Sequence, residues 1–154
     1  MKSGRLRRRA AVRSDRRCRN GTPLYYRPFL AAKPERIAAA LTAIARIPSG
    51  GVIFHCGAGR DRTGLISLLL LCLVGVTPEA IVADYELTFG QLAPLYAALG
   101  LEQNEGDVRE YLRSRGTTVS ETITSLIRDL DVPEYLAAAG VSGADIDALR
   151  RCLL

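Results

Sequence analysis

The chain has 154 residues, of which 48% are apolar and 24% charged; these values are typical of one folded domain and exclude a disordered chain. Its longest apolar run, residues 65–76, is too short to span a bilayer, so no membrane span is expected. The four cysteines form no C-x-x-C pair and there is one histidine, so no zinc site, and no metal or other cofactor, is expected.

Positive charge is concentrated at the start of the chain. Residues 1–36 carry 12 Lys or Arg and two acids, whereas the remainder has more acids than bases. Residues 1–22 lack apolar periodicity and are predicted to be a basic, unstructured arm before a single domain at 23–154. A basic arm suits nucleic acid or anionic lipid, but no DNA- or RNA-binding motif is visible, so nucleic acid is not the expected partner. No apolar h-region follows the arm, which favours a cytoplasmic protein, although secretion without a signal peptide stays open.

The first half of the domain predicts strands around one helix. Leu24 to Leu30 is apolar but contains Pro28, which limits it to a short or edge strand. A helix is predicted from about Pro34 to Ile47, where apolar residues recur at helical spacing. Gly51 to His55 is β-branched and aromatic between turn residues, which predicts a fully buried strand of a parallel sheet.

The second half predicts helices only. The predicted segments are a helix from Thr63 or Gly64 to about Leu73, one from Thr77-Pro78-Glu79 to Phe89, two short helices at 91–99 and 107–114, one from Thr118 to Leu130, and a last one capped at Ser142. The fold class predicted from both halves is α/β: a small, mostly parallel sheet flanked by helices, with a helical C-terminal half.

The segment His55–Gly64 has the residues of a phosphate-binding loop with a nucleophile. Backbone N–H groups after Cys56 can converge on phosphate oxygens, and the glycines of the loop permit close approach. Arg62 can hold two of those oxygens bidentately. The positive end of the following helix and Arg62 should lower the pKa of Cys56, and Thr63 can donate its hydroxyl to the sulfur.

The string H-C-x-x-G-x-x-R-T-G in this segment resembles the signature of the cysteine-dependent tyrosine phosphatases. The form C-G-A-G-R-D-R-T-G is similar to bacterial tyrosine and lipid phosphatases whose loop reads H-C-x-A-G-K-D-R-T-G, with Arg60 in place of the usual Lys. The resemblance covers about residues 34–154. It implies a tyrosine-phosphatase-like fold and hydrolysis of phosphoproteins or phospholipids through a phosphocysteine, without a metal. The residues it assigns are Cys56, Asp61, Arg62 and Thr63 for catalysis, Gly57, Ala58, Gly59, Arg60 and Arg62 for substrate binding, and His55 and Gly64 in support.

The proton donor for the leaving group is the least certain assignment. The acids upstream of the loop are Asp15, in the basic arm, and Glu35, which suits the first turn of a helix. The resemblance therefore points to Asp61, with an ion pair to Arg60 as the alternative role. Asp84, in the helix after Thr77, is the other candidate. His55 precedes the nucleophile directly and is expected to orient the loop rather than act as the base.

The length and the charge of the N-terminal part suggest two rival functions. Relatives of this type usually carry strands and an R-D-L-G-G-like motif well before the loop, whereas only 54 residues precede His55 here. Either those strands are truncated or the basic segment replaces them. The first rival is therefore a phosphate-binding relative without strong catalysis, and the second is a nucleic-acid-binding role for the arm.

Overall fold

The computed structural model describes residues 22–48, 50–100 and 105–154, so the predicted basic arm lies outside the described residues except for Thr22. Every regular element in these ranges is helical. A 3₁₀ turn, Pro23–Tyr25, is followed by α1 (Tyr26–Ala32), α2 (Pro34–Ala45), α3 (Asp61–Leu73), α4 (Pro78–Gln91), α5 (Ala93–Ala98), α6 (Glu105–Ser114), α7 (Val119–Asp129), α8 (Val132–Ala138) and α9 (Gly143–Leu153).

The predicted parallel sheet is wrong, because no strand occurs among the described residues. Gly51 to His55 is neither helix nor strand, since no second extended segment of the described chain lies beside it to form a ladder. Its side chains alternate in exposure: Val52 and Phe54 are half-buried, whereas Ile53 is 93% exposed. The predicted strand therefore packs one face on the helices and leaves the other open, instead of being buried on both.

The predicted edge strand at Leu24 to Leu30 is also wrong, because this segment forms the 3₁₀ turn and α1. Pro23 and Pro28 each fall in the first turn of a helix, where a missing N–H group costs no hydrogen bond. Tyr26 and Leu30, four residues apart, are buried on one face of α1. The aromatic and apolar residues that suggested a strand therefore include those that form the buried face of a helix.

The helices predicted in the second half are present, and their caps explain why. Thr77 accepts a hydrogen bond from the Ala80 N–H group at the start of α4, and Ser142 caps α9 in the same way. Thr118 begins α7 with a reciprocal capping box. Helix α8 was not predicted, although Asp131 before Val-Pro is a capping signal.

Helix α3 is central and carries the site at its N-terminus. It begins at Asp61, two residues before the predicted start, and Leu65 and Leu69 on it are at most 1% exposed. It contacts α4 and α8, while α4 packs on α7 and α2 on α9. No helix within the described ranges has the length and apolar character needed to cross a membrane.

Candidate active site

The loop that leads into α3 is shaped by one glycine. Residues 56–60 have no helical or strand structure, and Gly59 has a φ of +69°, in the left-handed region that favours glycine. The backbone N–H groups of Ala58, Gly59 and Thr63 lower the pKa of the Cys56 thiol. Such N–H groups around one atom are typical of an anion-binding loop, so the prediction of a phosphate-binding loop at residues 56–62 stays a prediction.

Cys56 is a free, partly buried cysteine whose thiol is acidic. Partial burial raises the pKa of the thiol, but the effects of the nearby Thr63 side chain and of the N–H groups of Thr63, Gly59 and Ala58 outweigh it and lower the pKa to about 7. A lowered pKa increases the fraction of the thiol that is ionised near neutral pH. Nucleophilic attack needs this ionised form.

Arg62 and His55 lie at the exposed side of the loop. The Arg62 side chain is exposed, and its Nη2 atom is 4.0 Å from the position a Cβ would have on Gly57. The guanidinium is thus near the N–H cradle and free to meet an incoming anion. His55 is exposed, and its Nδ1–H group donates to the Cys56 carbonyl oxygen at 3.1 Å. That contact holds the backbone of the nucleophile.

Asp61 is the first residue of α3 and is mostly buried beside two cations. Burial raises its pKa above the ordinary carboxyl value, against the opposing effects of Arg60 and Arg62. Arg60 Nε lies 3.4 Å from Asp61 Oδ1, so the ion pair considered as an alternative is present as a long contact. A carboxyl with a raised pKa retains its proton to higher pH, which suits a proton donor.

Arg60 points inward rather than towards the solvent. The residue is 3% exposed, and its guanidinium carbon lies 5.7 Å from the centre of the Phe89 ring on α4. The cation therefore stacks on an aromatic face beneath the loop, where it neutralises Asp61. This placement differs from the substrate contact expected of a loop cation.

Three tyrosines below the loop were not among the predicted site residues. The charge of Asp61 acts on the hydroxyls of Tyr25, Tyr26 and Tyr85, and burial raises the pKa of each above its usual range. A Cβ on Gly64 would lie 2.9 Å from Tyr26 Oη and 3.1 Å from the Tyr85 ring, so a glycine lets these rings pack directly on α3. A signal for Tyr85 was its inward position on a predicted helix, but nothing local connected Tyr25 with a loop 31 residues later.

Loop residues line more than one cavity. One of about 260 Å³ is lined by Gly59, Ser67, Asp84 and Tyr85, among others, so the alternative acid Asp84 lies on a wall that the loop shares. Another, of about 310 Å³, is lined by Arg62, Thr63 and apolar side chains of α2 and of residues 52–54. Glu35 instead lies in the first turn of α2 beside Lys33, and Asp15 is outside the described residues.

No group of three or more metal-binding side chains occurs in the described part of the chain. The loop and the start of α3 bring together the Cys56 thiol, loop N–H groups, the exposed Arg62 guanidinium and the partly buried Asp61 carboxyl, which together suit attack on a tetrahedral oxyanion.

Comparison with known proteins supports this assignment. The sequence profile of the tyrosine phosphatase family matches residues 2–154. The triple specificity protein phosphatase PtpB of Mycobacterium tuberculosis is 31% identical over 126 residues, which cover 67% of this chain and 44% of PtpB. A tyrosine-protein phosphatase of Nostoc commune is 51% identical over 45 residues, or 29% of this chain and 15% of the relative.

The chain thus spans less than half the length of either relative. No solved structure is significantly similar to it. The family profile nevertheless covers nearly the whole sequence, and the resemblance found in the loop is confirmed: the chain belongs to the tyrosine phosphatase family.

Proposed function

We propose that the chain hydrolyses phosphomonoesters, with phosphotyrosine as the principal substrate class and phosphoserine, phosphothreonine and phosphoinositides as further ones. The observation that carries the proposal is the Cys56 thiol, whose pKa is lowered to about 7 by N–H groups of the loop and by Thr63. Membership of the tyrosine phosphatase family supports it. The similarity to a phosphatase named for triple specificity supports the wider substrate range.

In the first step, the Cys56 thiolate attacks phosphorus and the bond between phosphorus and the leaving oxygen breaks. The N–H groups of Ala58, Gly59 and Thr63 and the Arg62 guanidinium bind the non-bridging oxygens, whose charge is largest in the transition state. Asp61 gives its proton to the departing oxygen. The products are a phosphocysteine, an Asp61 carboxylate and the free alcohol or phenol.

In the second step, water attacks phosphorus and the bond between sulfur and phosphorus breaks. The Asp61 carboxylate takes a proton from that water, which restores the acid for the next cycle. The Thr63 hydroxyl and the loop N–H groups stabilise the departing Cys56 thiolate. Inorganic phosphate then leaves the loop, and no metal takes part.

The decisive experiment is turnover of p-nitrophenyl phosphate by the purified chain, followed by acid quench and mass spectrometry of the phosphorylated peptide. Cys56→Ser should abolish turnover and still bind orthovanadate, because the cradle and Arg62 remain. Cys72→Ser is the matched control, since Cys72 is a second cysteine within the central helix α3. Vanadate binding without turnover by the unmodified chain would instead support the non-catalytic, phosphate-binding alternative.

A further inference from the structure

Arg60 is a cation buried beneath the loop, and its ion pair explains only part of its position. The residue is 3% exposed, and the contact from its Nε atom to Asp61 Oδ1 measures 3.4 Å. That distance is long for a hydrogen bond, and Arg60 Nη1 is buried without a hydrogen-bond partner among the described residues. A guanidinium buried in this way needs a further stabilising neighbour.

The Phe89 ring on α4 is that neighbour. The guanidinium carbon of Arg60 lies 5.7 Å from the ring centre, within the range of a cation–π contact. Phe89 is itself 4% exposed and packs edge-on against Tyr85, one turn earlier on the same helix, with ring centres 5.9 Å apart. The ring is therefore held in place by its own packing, and it offers Arg60 an aromatic surface beneath the loop.

A second arginine contacts the same ring from α6. The guanidinium carbon of Arg109 lies 4.9 Å from the Phe89 ring centre, and its Nη1 atom lies 3.8 Å from Glu86 Oε1. The Arg109 side chain is half-exposed, whereas that of Arg60 is buried. The two cations share one aromatic ring but pair with different carboxylates, which makes Arg109 a matched control for Arg60.

A cation beside Asp61 affects the proton transfer of the proposed reaction. When Asp61 gives up its proton, a mostly buried carboxylate forms, and an adjacent guanidinium stabilises that charge. Burial raises the pKa of Asp61, whereas Arg60 and Arg62 lower it. Without Arg60, the carboxyl would give up its proton to the leaving oxygen less readily.

We propose that Phe89 is a positioning residue: its ring holds the Arg60 guanidinium beneath the loop, against the Asp61 carboxyl and away from the substrate. The importance of this contact for catalysis rests on the proposed function of Asp61 as the proton donor. The inference connects α4 with that proton transfer through the side chain of Arg60.

Other charged and titratable groups lie around Asp61 and around the ring. Those that influence Asp61, or are influenced by it, are the cations Arg60 and Arg62 and the hydroxyls of Tyr25, Tyr26 and Tyr85, while Cys56 shares Tyr25 with it and Arg109 and Glu86 accompany Phe89. Burial raises the pKa of the three phenols, so they stay neutral while Asp61 titrates. A Cys56→Ser background removes the titration of the thiol.

The first test measures the titration of Asp61 directly. In Cys56→Ser protein without a ligand, NMR follows the Asp61 carboxyl carbon as pH is varied. Arg60→Gln should raise the pKa of Asp61 by about one unit, the lower end of the effect of an adjacent opposite charge. Phe89→Leu should raise it at least about half as far, but should have almost no further effect in an Arg60→Gln background. Arg109→Gln, the matched control, should leave the titration unchanged.

An unchanged titration in Phe89→Leu would overturn the inference. An equal shift with and without Arg60 would also overturn it, because the ring would then act on Asp61 independently of the cation. Phe89→Met, which fills the space with a flexible apolar chain and has no aromatic face, takes the place of Phe89→Leu if the latter does not fold.

The second test is the pH dependence of turnover with phenyl phosphate, a poor leaving group. The fall of kcat with rising pH should move to higher pH in Phe89→Leu and in Arg60→Gln, and should stay in place in Arg109→Gln. If the NMR titration shifts and the pH profile does not, the inference stands and the proposed function of Asp61 fails. If Asp61→Asn shows leaving-group dependence but Phe89→Leu moves neither measurement, the inference fails and the proposed function stands.

Discussion

Cys56 and Cys72 show how position alone determines the chemistry of one side chain. Both belong to the same stretch of loop and helix, 16 residues apart. The pKa of Cys56 is lowered to about 7, because the effects of Thr63 and of the loop N–H groups outweigh partial burial, whereas burial raises the pKa of Cys72 to about 11. Cys72 packs against the core and has no comparable donors. The difference predicts that Cys56 is the more reactive of the two thiols.

This difference predicts selective alkylation. At pH 7, iodoacetate should modify Cys56 at least about 100-fold faster than Cys72, since only the former has an appreciable thiolate fraction. The rate at Cys56 should rise with pH through about 7. Peptide mass spectrometry measures both sites, and millimolar phosphate should protect Cys56. Equal rates at the two cysteines would contradict an activated thiolate.

Asp61 predicts a dependence on the leaving group. Asp61→Asn should lower kcat for phenyl phosphate by about 100-fold, the usual value of a general acid, and have a much smaller effect on p-nitrophenyl phosphate. Because the pKa of Asp61 is raised by burial, kcat of the unmodified chain should fall as pH rises through that raised value, and the variant should lack this fall. Steady-state pH profiles test both points.

Asp84→Asn is the matched comparison for that experiment. Asp84 is exposed on α4 and lines the cavity that the loop also lines. Leaving-group dependence in Asp84→Asn, with none in Asp61→Asn, would assign the acid to α4. A similar loss for both substrates in Asp61→Asn would assign Asp61 a structural role through Arg60.

At the scale of elements, the close packing of α3 on the tyrosines of α1 and α4 depends on Gly64. A Cβ there would lie 2.9 Å from Tyr26 Oη and 3.1–3.2 Å from two atoms of the Tyr85 ring. Both rings are buried, so neither can move aside freely. Glycine has a low helix propensity, but at this position in the first turns of α3 it allows close contact with the two tyrosine rings.

Substitution of this glycine is predicted to destabilise the fold. Gly64→Ala should lower the free energy of unfolding by about 1–2 kcal/mol, since overpacking outweighs the better helix propensity of alanine. Gly90→Ala is the control, because Gly90 lies in α4 with nothing within 4 Å of its would-be Cβ, and should raise the value by about 0.5 kcal/mol. Urea unfolding measures both; destabilisation of equal size in the two variants would mean that the tyrosine contact is unimportant.

The elements also show what local sequence can and cannot predict. The starts of α4, α7 and α9 were predictable because their caps are local: Thr77, Thr118 and Ser142 each precede an apolar periodic segment. The residues of the phosphate loop were predictable as candidates for the same reason, since they are contiguous. Gly51 to His55 has the composition of a strand. A strand, however, also needs a second strand to form hydrogen bonds with, and the local sequence pattern does not indicate whether one is present.

Tyr25 illustrates the limit for the site. The charge of Asp61 acts on its hydroxyl because of how the 3₁₀ turn and α1 pack on the rest of the molecule, whereas Leu24 to Leu30, the segment that contains it, suggested an edge strand rather than a helix. The prolines near it fit either structure, because both tolerate a missing N–H group at a boundary. Only the tertiary arrangement distinguishes the two.

At the scale of the whole molecule, ion pairs join segments that are distant in sequence. Arg46, at the end of α2, makes a bidentate contact with Asp145 in the first turn of α9, with both N–O distances 2.9 Å. Arg27 on α1 contacts Asp129 at the end of α7 at 2.6 Å. These pairs connect the helices before the loop to those at the end of the chain.

The first pair predicts a pH dependence of stability. Hydrogen bonds from Arg46 and Ser142 lower the pKa of Asp145 to about 2. The pair's contribution is therefore complete above about pH 4, the unfolded-state pKa, and is lost as pH falls towards 2. The difference in urea midpoint between the unmodified chain and Asp145→Asn should be constant from pH 7 to 5 and shrink below pH 4. A difference that persists at pH 2 would contradict this assignment.

The open face of Gly51 to His55 has a consequence for the behaviour of the protein in concentrated solution. Ile53, 93% exposed, and Ile47, 45% exposed, accompany a backbone segment without a partner strand in the described chain. Such a segment can pair with the same segment of another molecule. Aggregation should therefore start from a nucleus, and its rate should rise steeply with protein concentration. Ile53→Lys should slow that precipitation, as followed by light scattering, because a charge at this position opposes stacking of one copy on the next.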